Sequence, residues 1–417
     1  MTPSIGSRIP RKDAASQVMG SLIYGDDLYR DGLLYGKVLR SPHTHADILN
    51  IDTSRAEAYP GVVAVITAKD IPNNVWGFSH KDQPVLCDQK TRYFGDPVAA
   101  VAAVSPRIAE VALELIDVQY RPLPAVYDPI EAMRNTVPII HPGGNIAASM
   151  KIRHGNMELG WRQADLIIEE EYRTQRVQPC HLEPHTVLVE LDPNQNLVVH
   201  TSTQRIFRIK MDLSYILALP EERIIVHSPA VGGGFGAKTE LSLEPLACLF
   251  ALKTGKPVKM NFTREEEFTS APIRHPLVAR YKSGVTRAGQ IVVRKVELIY
   301  DTGAYVAQGQ SVMAKGTINC IGPYEIPNVW VDSYLVYTNT NFGSAMRGFG
   351  VPQIAFAYES HTDSLARRLG QDPAEFRRKN FLKDGSALPT GQILERSTAL
   401  ETLDTALDIF QSDPLLR

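Results

Sequence analysis

The sequence predicts an α+β fold, on three observations. Apolar, β-branched runs of strand length and amphipathic runs of helix length are both frequent, but they do not alternate one for one, so a doubly wound parallel sheet is not indicated. The 417 residues are 44% hydrophobic and 22% charged, ordinary for a globular chain with room for two or three domains. A stretch over 126–150, with Pro138, Pro142, Gly143 and Gly144, reads as a linker between a domain over 1–125 and a region over 151–417.

In the first region, 34–39 and 46–51 read as strands. Thr53 or Ser54 caps a short helix that stops at Pro60-Gly61, and Val62–Thr67 is a nearly continuous β-branched strand. Residues 97–104 form another apolar run. Ser105 at N-cap and Pro106 at N1 then open a helix through Ile116, and 118–120 close the unit. In the second region a strand over 167–174 precedes a hairpin, Thr186–Leu191 and Leu197–Thr201, joined by the turn-forming Asp192-Pro193-Asn194-Gln195-Asn196. A helix runs from after Gln204 to about Leu217. A glycine loop and a helix over 241–253 follow. Strands come next at 258–262, 277–282, 291–300 and 329–337. The last part is helical, over 351–369, 373–382 and 399–409.

Net charge is -2, which supplies no concentrated basic field for nucleic acid or an anionic membrane surface. The first thirteen residues lack the apolar core of a secretory signal, and no apolar run approaches 18 residues. Cys87, Cys180, Cys248 and Cys320 are far apart. They read as free thiols in a reducing cytoplasm, with no iron–sulfur cluster or structural zinc held by this chain.

Chemistry concentrates in a few stretches. Val231-Gly232-Gly233-Gly234-Phe235-Gly236-Ala237-Lys238-Thr239-Glu240 follows the strand-like Ile224-Ile225-Val226-His227. Its glycines leave backbone N–H groups uncovered, and a following helix would add positive dipole, a setting for a phosphate, oxyanion or metal-oxo group. The loop matches G-x-G-x-x-A, a weak dinucleotide signal, and nearly matches a phosphate-binding P-loop with Ala237 in place of the second glycine. Asp301 would be the magnesium-binding acid of that reading, though Glu297 interrupts its strand. A tight turn with no ligand also suits these residues. In Ser344-Ala345-Met346-Arg347-Gly348-Phe349-Gly350, Arg347 offers a planar fork of donors and Phe349 a ring able to stack on a flat substrate. A helix-entry turn explains the same stretch. Thr201-Ser202-Thr203-Gln204 and Asp301-Thr302-Gly303-Ala304-Tyr305 carry little meaning alone.

In this order, the stretches 201–204, 232–238, 301–305 and 345–353 resemble the molybdenum-binding subunit of the xanthine dehydrogenase and aldehyde oxidase family. The opening Arg11-Lys12-Asp13 through Gly20, Tyr24 and Asp26-Asp27 is similar too. The resemblance implies a small N-terminal α/β hammerhead-like domain followed by part of a large molybdopterin-binding α+β region. It implies molybdenum held by a pterin, the cytosine dinucleotide form being one option, and not by cysteines. Carried over, Gln204 hydrogen-bonds an oxo ligand, Gly234, Phe235 and Gly236 line the metal, Arg347 lies near metal and pterin, and Phe349 stacks on the substrate. The implied reaction is hydroxylation of an electron-poor carbon of an N-heteroaromatic substrate with water as the oxygen source.

Departures bear on the substrate. Xanthine enzymes of the family read Gly-Lys-Glu where this chain has Ala237-Lys238-Thr239, so the purine-orienting acid falls on Thr239, with Glu240 one residue late. Their Arg before the Tyr-x-Ile-Pro-Asn segment falls on Lys315. Gly348 stands where carbon monoxide dehydrogenases carry a Cys. The chain reads as the first part of the subunit, either in a split arrangement like that of nicotinate dehydrogenase or as a truncated gene or fragment. The family's general-base Glu is then expected in a second molybdopterin subunit, with iron–sulfur and FAD subunits as further partners.

Overall fold

The computed structural model describes residues 5–134 and 136–413. They form two compact units, and neither is contiguous in sequence. The first comprises the residues up to Trp76, Pro84–Leu123 and Pro179–Ala271. The second comprises Gly77–Gln83, Pro124–Gln178 and the residues from Pro272 onward.

The first unit is built on a seven-stranded mixed sheet. Its order is Ile224–His227, Leu197–Thr201, Thr186–Leu191, Val258–Asn261, Leu34–Arg40, Pro97–Ala103 and Val62–Thr67. Side chains of a strand alternate between faces. In Pro97–Ala103 this sends Ala100 and Ala102 into one core and Ala99 and Val101 into another. Burial on both faces explains why that segment reads as a continuous apolar run. Ser105 caps the helix Pro106–Glu114 by accepting from Ile108 N at 3.3 Å, and Ala112 of that helix enters the second core. The hairpin register is as the turn residues require, with Leu191 opposite Leu197. Asp192 accepts from the N–H groups of Asn194 and Asn196, both at 2.8 Å. A three-stranded sheet of Lys90–Thr91, Ala46–Asp52 and Asp117–Pro122 completes the unit.

The second unit carries a five-stranded sheet ordered Leu166–Thr174, Leu277–Val285, Ile291–Gly303, Val329–Tyr337 and Ile146–His154. Only the Ile291–Gly303 and Val329–Tyr337 pair is parallel. Tyr281, Leu298, Tyr300, Leu335, Ile354, Leu365 and Phe376 form the middle of its core. The helix Ala399–Ser412 has no fully buried residue and meets that core through Ala399 and Leu403.

Several sequence expectations need correcting. The stretch 126–150 is packed, not loose: it holds the helix Pro129–Ala132 and the start of the strand Ile146–His154, and Val126, Ala132 and Ile140 are buried. Prolines and glycines there mark turns between short elements. The helix Gly309–Asn319 was not expected, because its Gly309, Gly316 and polar residues weaken the periodic signal. The α-helix after the glycine loop begins at Glu244, not 241, and a 3-10 turn, Ala237–Thr239, intervenes. That α-helix therefore does not abut the loop. Among the described residues no helix is long and apolar enough to cross a membrane, and none of the four cysteines forms a disulfide.

Candidate functional site

In the first unit the glycine loop is shaped from beneath by one carboxylate. Glu183 Oε2 accepts from Gly232 N at 2.8 Å and from Lys238 Nζ at 2.7 Å, and Oε1 accepts from Gly25 N at 3.3 Å. A Cβ on Gly232 would stand 2.5 Å from Glu183 Cβ, so only glycine fits there. Lys238 is 1% exposed, and burial pulls its ammonium below the ordinary lysine range against the opposing pull of Glu183. A phosphate-cradling lysine must reach out of its loop. This one points inward to a carboxylate. Asp301, the supposed magnesium acid, is bound to Arg176 and to Thr338 Oγ1 at 2.6 Å. The P-loop reading is overturned.

Gln204 stands between the strand Leu197–Thr201 and the helix Ile206–Leu217. Its backbone N–H donates to Lys238 O at 2.8 Å, which fastens it to the loop. Its side-chain Oε1 accepts from Gly236 N at 2.9 Å. A backbone N–H can only donate, so the amide oxygen must face Gly236, and the NH₂ end has no partner among the described residues. A Cβ on Gly234 would lie 2.6 Å from that oxygen. Gly233 (φ +95°), Phe235 (φ +50°) and Gly236 (φ +105°) are all left-handed. Phe235 is non-glycine in that region, at a cost of roughly 1–3 kcal/mol, and the residue is 46% exposed. The N–H groups of Gly233, Gly234 and Phe235 have no partner among the described residues. Thr239 Oγ1 donates to Gly236 O at 2.7 Å, and Glu240 is buried.

The second unit carries the other predicted residues. Gly348, Phe349 and Gly350 are left-handed in succession, at φ +92°, +52° and +92°. A Cβ on Gly350 would lie 2.5 Å from Val312 O, so the turn packs directly on the helix Gly309–Asn319, which bears the exposed Lys315. Arg274 holds the turn: Nη2 donates to Arg347 O at 2.7 Å and Nη1 to Gln353 Oε1 at 3.1 Å. The guanidinium of Arg347 is exposed, and Phe349 is half-buried. The structure thus joins Gln204, Gly234 and Gly236 in direct contact, and joins the Arg347–Phe349 turn to the Lys315 helix. Glu183 and Arg274, which position these groups, escaped sequence reasoning. Glu183 lies 49 residues before Gly232 with no local pattern linking them.

The glycine loop offers N–H donors that have no partner among the described residues, a setting that suits a hydrogen-bond-accepting ligand. Residues 140–381 match the molybdopterin cofactor-binding domain, and 19–124 match the aldehyde oxidase and xanthine dehydrogenase a/b hammerhead domain. The chain belongs to the xanthine dehydrogenase and aldehyde oxidase family. It is 38% identical to a probable xanthine dehydrogenase subunit of Bacillus subtilis (strain 168), over 98% of this chain and 54% of that protein. It is 37% identical to the nicotinate dehydrogenase large molybdopterin subunit of Eubacterium barkeri, over 96% of this chain and 95% of that protein. The aldehyde oxidoreductase of Desulfovibrio gigas superposes with a TM-score of 0.93 at 30% identity, over 98% of this chain and 46% of that one. The chain therefore spans about half of several relatives and nearly all of the Eubacterium barkeri protein. The residues fit an oxo-bearing cofactor: the Gln204 NH₂ and the loop N–H groups are all donors, and Gly234 lets the loop close on Gln204, where a Cβ would lie 2.6 Å from its amide oxygen.

Proposed function

We propose that this chain is the larger molybdopterin-binding subunit of a cytoplasmic hydroxylase complex acting on an electron-poor carbon of an N-heteroaromatic ring, nicotinate- or purine-like. The observation that carries the reading is the Gln204 amide, pinned by Gly236 N–H so that its NH₂ end is free to donate to a ligand. When bound, the molybdenum cofactor, whether as molybdopterin or its cytosine dinucleotide, supplies the oxidation chemistry, with water as the source of the oxygen. The residues of this chain bind and orient. Gln204 would donate to an oxo ligand, and the loop at Gly234, Phe235 and Gly236 would border the metal. Arg347 would lie near metal and pterin, with Phe349 free to stack on the substrate. Lys315 and Glu240 are the candidates for polar contacts with the ring substituents, and the buried position of Glu240 makes Lys315 the stronger of the two.

The likeness to the nicotinate dehydrogenase large subunit supports a split arrangement, in which a second molybdopterin subunit supplies the general base and iron–sulfur and FAD subunits take the electrons. Metal and pterin analysis of the purified complex tests the assignment: molybdenum and a pterin are expected, and their absence would refute it. Gln204→Ala should lower turnover about a hundredfold or more with molybdenum content unchanged. Unchanged turnover in both Gln204→Ala and Arg347→Ala would instead make the chain a non-catalytic scaffold.

A further inference from the structure

Beneath the glycine loop, away from the donors assigned above, three buried side chains converge: His181, His185 and Glu267. One donor atom from each lies within 4.8 Å of the others. His185 Nδ1 is 2.9 and 3.1 Å from the two oxygens of Glu267, and His181 Nε2 is 3.4 Å from Oε2.

The tautomer of His181 makes this arrangement unusual. Its Nδ1 lies 2.7 Å from Glu183 O, a carbonyl that can only accept, so Nδ1 carries the proton. In the neutral ring Nε2 then bears a lone pair, and that lone pair faces a carboxylate oxygen. Nε2 has no hydrogen-bond partner, and its side chain is 0% exposed. Two groups of negative character meeting at 3.4 Å in a buried place call for a cation between them, a proton or a metal ion.

We propose that His181 Nε2, His185 Nδ1 and the Glu267 carboxylate bind a divalent transition ion of the zinc class. Two imidazoles and a carboxylate suit such an ion better than calcium or magnesium. Donor atoms about 3.3 Å apart around a tetrahedral zinc match the spacings of Glu267 from His185 and from His181. The Nδ1–H of His181 on a backbone carbonyl is the supporting hydrogen bond that ligating histidines commonly make. The ion would tie the segment 181–185, which shapes the loop through Glu183, to the helix Arg264–Thr269, which carries Glu267. Cysteine counting passed this site over, because it contains none.

The test uses the full chain stripped with a chelator, loaded with zinc and dialysed. Wild type should retain about one Zn²⁺ per chain and melt at a higher temperature with the ion than without it. Cobalt(II) should give visible d–d bands that zinc displaces. His181→Gln and Glu267→Gln should each weaken zinc binding by about a hundredfold or more and abolish the cobalt bands. Zinc-edge X-ray absorption of the loaded wild type should show two imidazoles, and this reading holds even if a variant does not fold. No cobalt bands, no imidazole in the zinc shell, or affinity unchanged in folded His181→Gln would each overturn the proposal.

Discussion

Two loops in this chain solve the same steric problem with different supports. Each holds a phenylalanine near φ +50° next to left-handed glycine: Phe235 before Gly236 in the first unit, Phe349 between Gly348 and Gly350 in the second. Beneath the first lies a buried ion pair, Lys238 on Glu183, beside the contact of His185 with Glu267. The second rests on a helix backbone, with Gly350 against the Val312 carbonyl, and is tied by one arginine. The first support is electrostatic and internal, so its failure should spread into the unit. The second is steric and near the surface, so its failure should stay local.

Experiments can break that contrast. Glu183→Ala would leave the Lys238 ammonium buried without a partner, and should cost about 3–5 kcal/mol of stability, read as a lower urea midpoint. Gly350→Ala would press a methyl group onto the Val312 carbonyl at φ +92°, and about 2–4 kcal/mol should be lost. Arg274→Ala removes two charge-assisted bonds but no buried charge pair, and about 1.5–3 kcal/mol is expected. A loss from Arg274→Ala larger than from Glu183→Ala would reverse the contrast.

The second unit should also respond to acid. His275 is fully buried, neither ring nitrogen has a partner among the described residues, and burial pulls it down to about 3 from 6.5. An unfolded chain takes up that proton below pH 6.5, while the folded chain resists until about pH 3. Stability should therefore fall as pH drops through that window, by about 1–2 kcal/mol between pH 6.5 and about 5. Urea midpoints at the two pH values check it, and a folded His275→Asn variant should show a flatter dependence. Smallest of all, Phe235→Gly should relieve the left-handed strain and change stability by about 1 kcal/mol or less in the favourable direction. A clear destabilisation would mean that the ring packs more than the residue's 46% exposure suggests.

The legible parts of the sequence were those with a local signal. The hairpin at Thr186–Leu191 and Leu197–Thr201, the Ser105-Pro106 helix start and the strand Val62–Thr67 sit where their residues place them, because turn chemistry, capping and β-branched runs act over a few positions. Gln204 and the glycine loop were legible as candidates, but their contact was not, since Gln204 Oε1 on Gly236 N depends on tertiary packing. Lys238 looked like an outward phosphate ligand until its partner was known, and that partner is 55 residues away. The same holds for the packed stretch 126–150: Pro and Gly report where a chain turns, not whether the pieces between are buried.

The interleaving of the two units along the sequence has a consequence for biosynthesis. The strand Leu34–Arg40 pairs in parallel with Val258–Asn261, with Leu34 opposite Val258. At about 5–20 residues per second, roughly 10–40 s of translation separate the two. Until then the apolar strand Val62–Thr67 lacks the later helix Glu244–Thr254, which packs against it. A nascent chain of this kind is a natural client for a chaperone. Expression at lower temperature, or fusion at an end instead of at an internal boundary, should raise the yield of folded protein more than trimming the chain would.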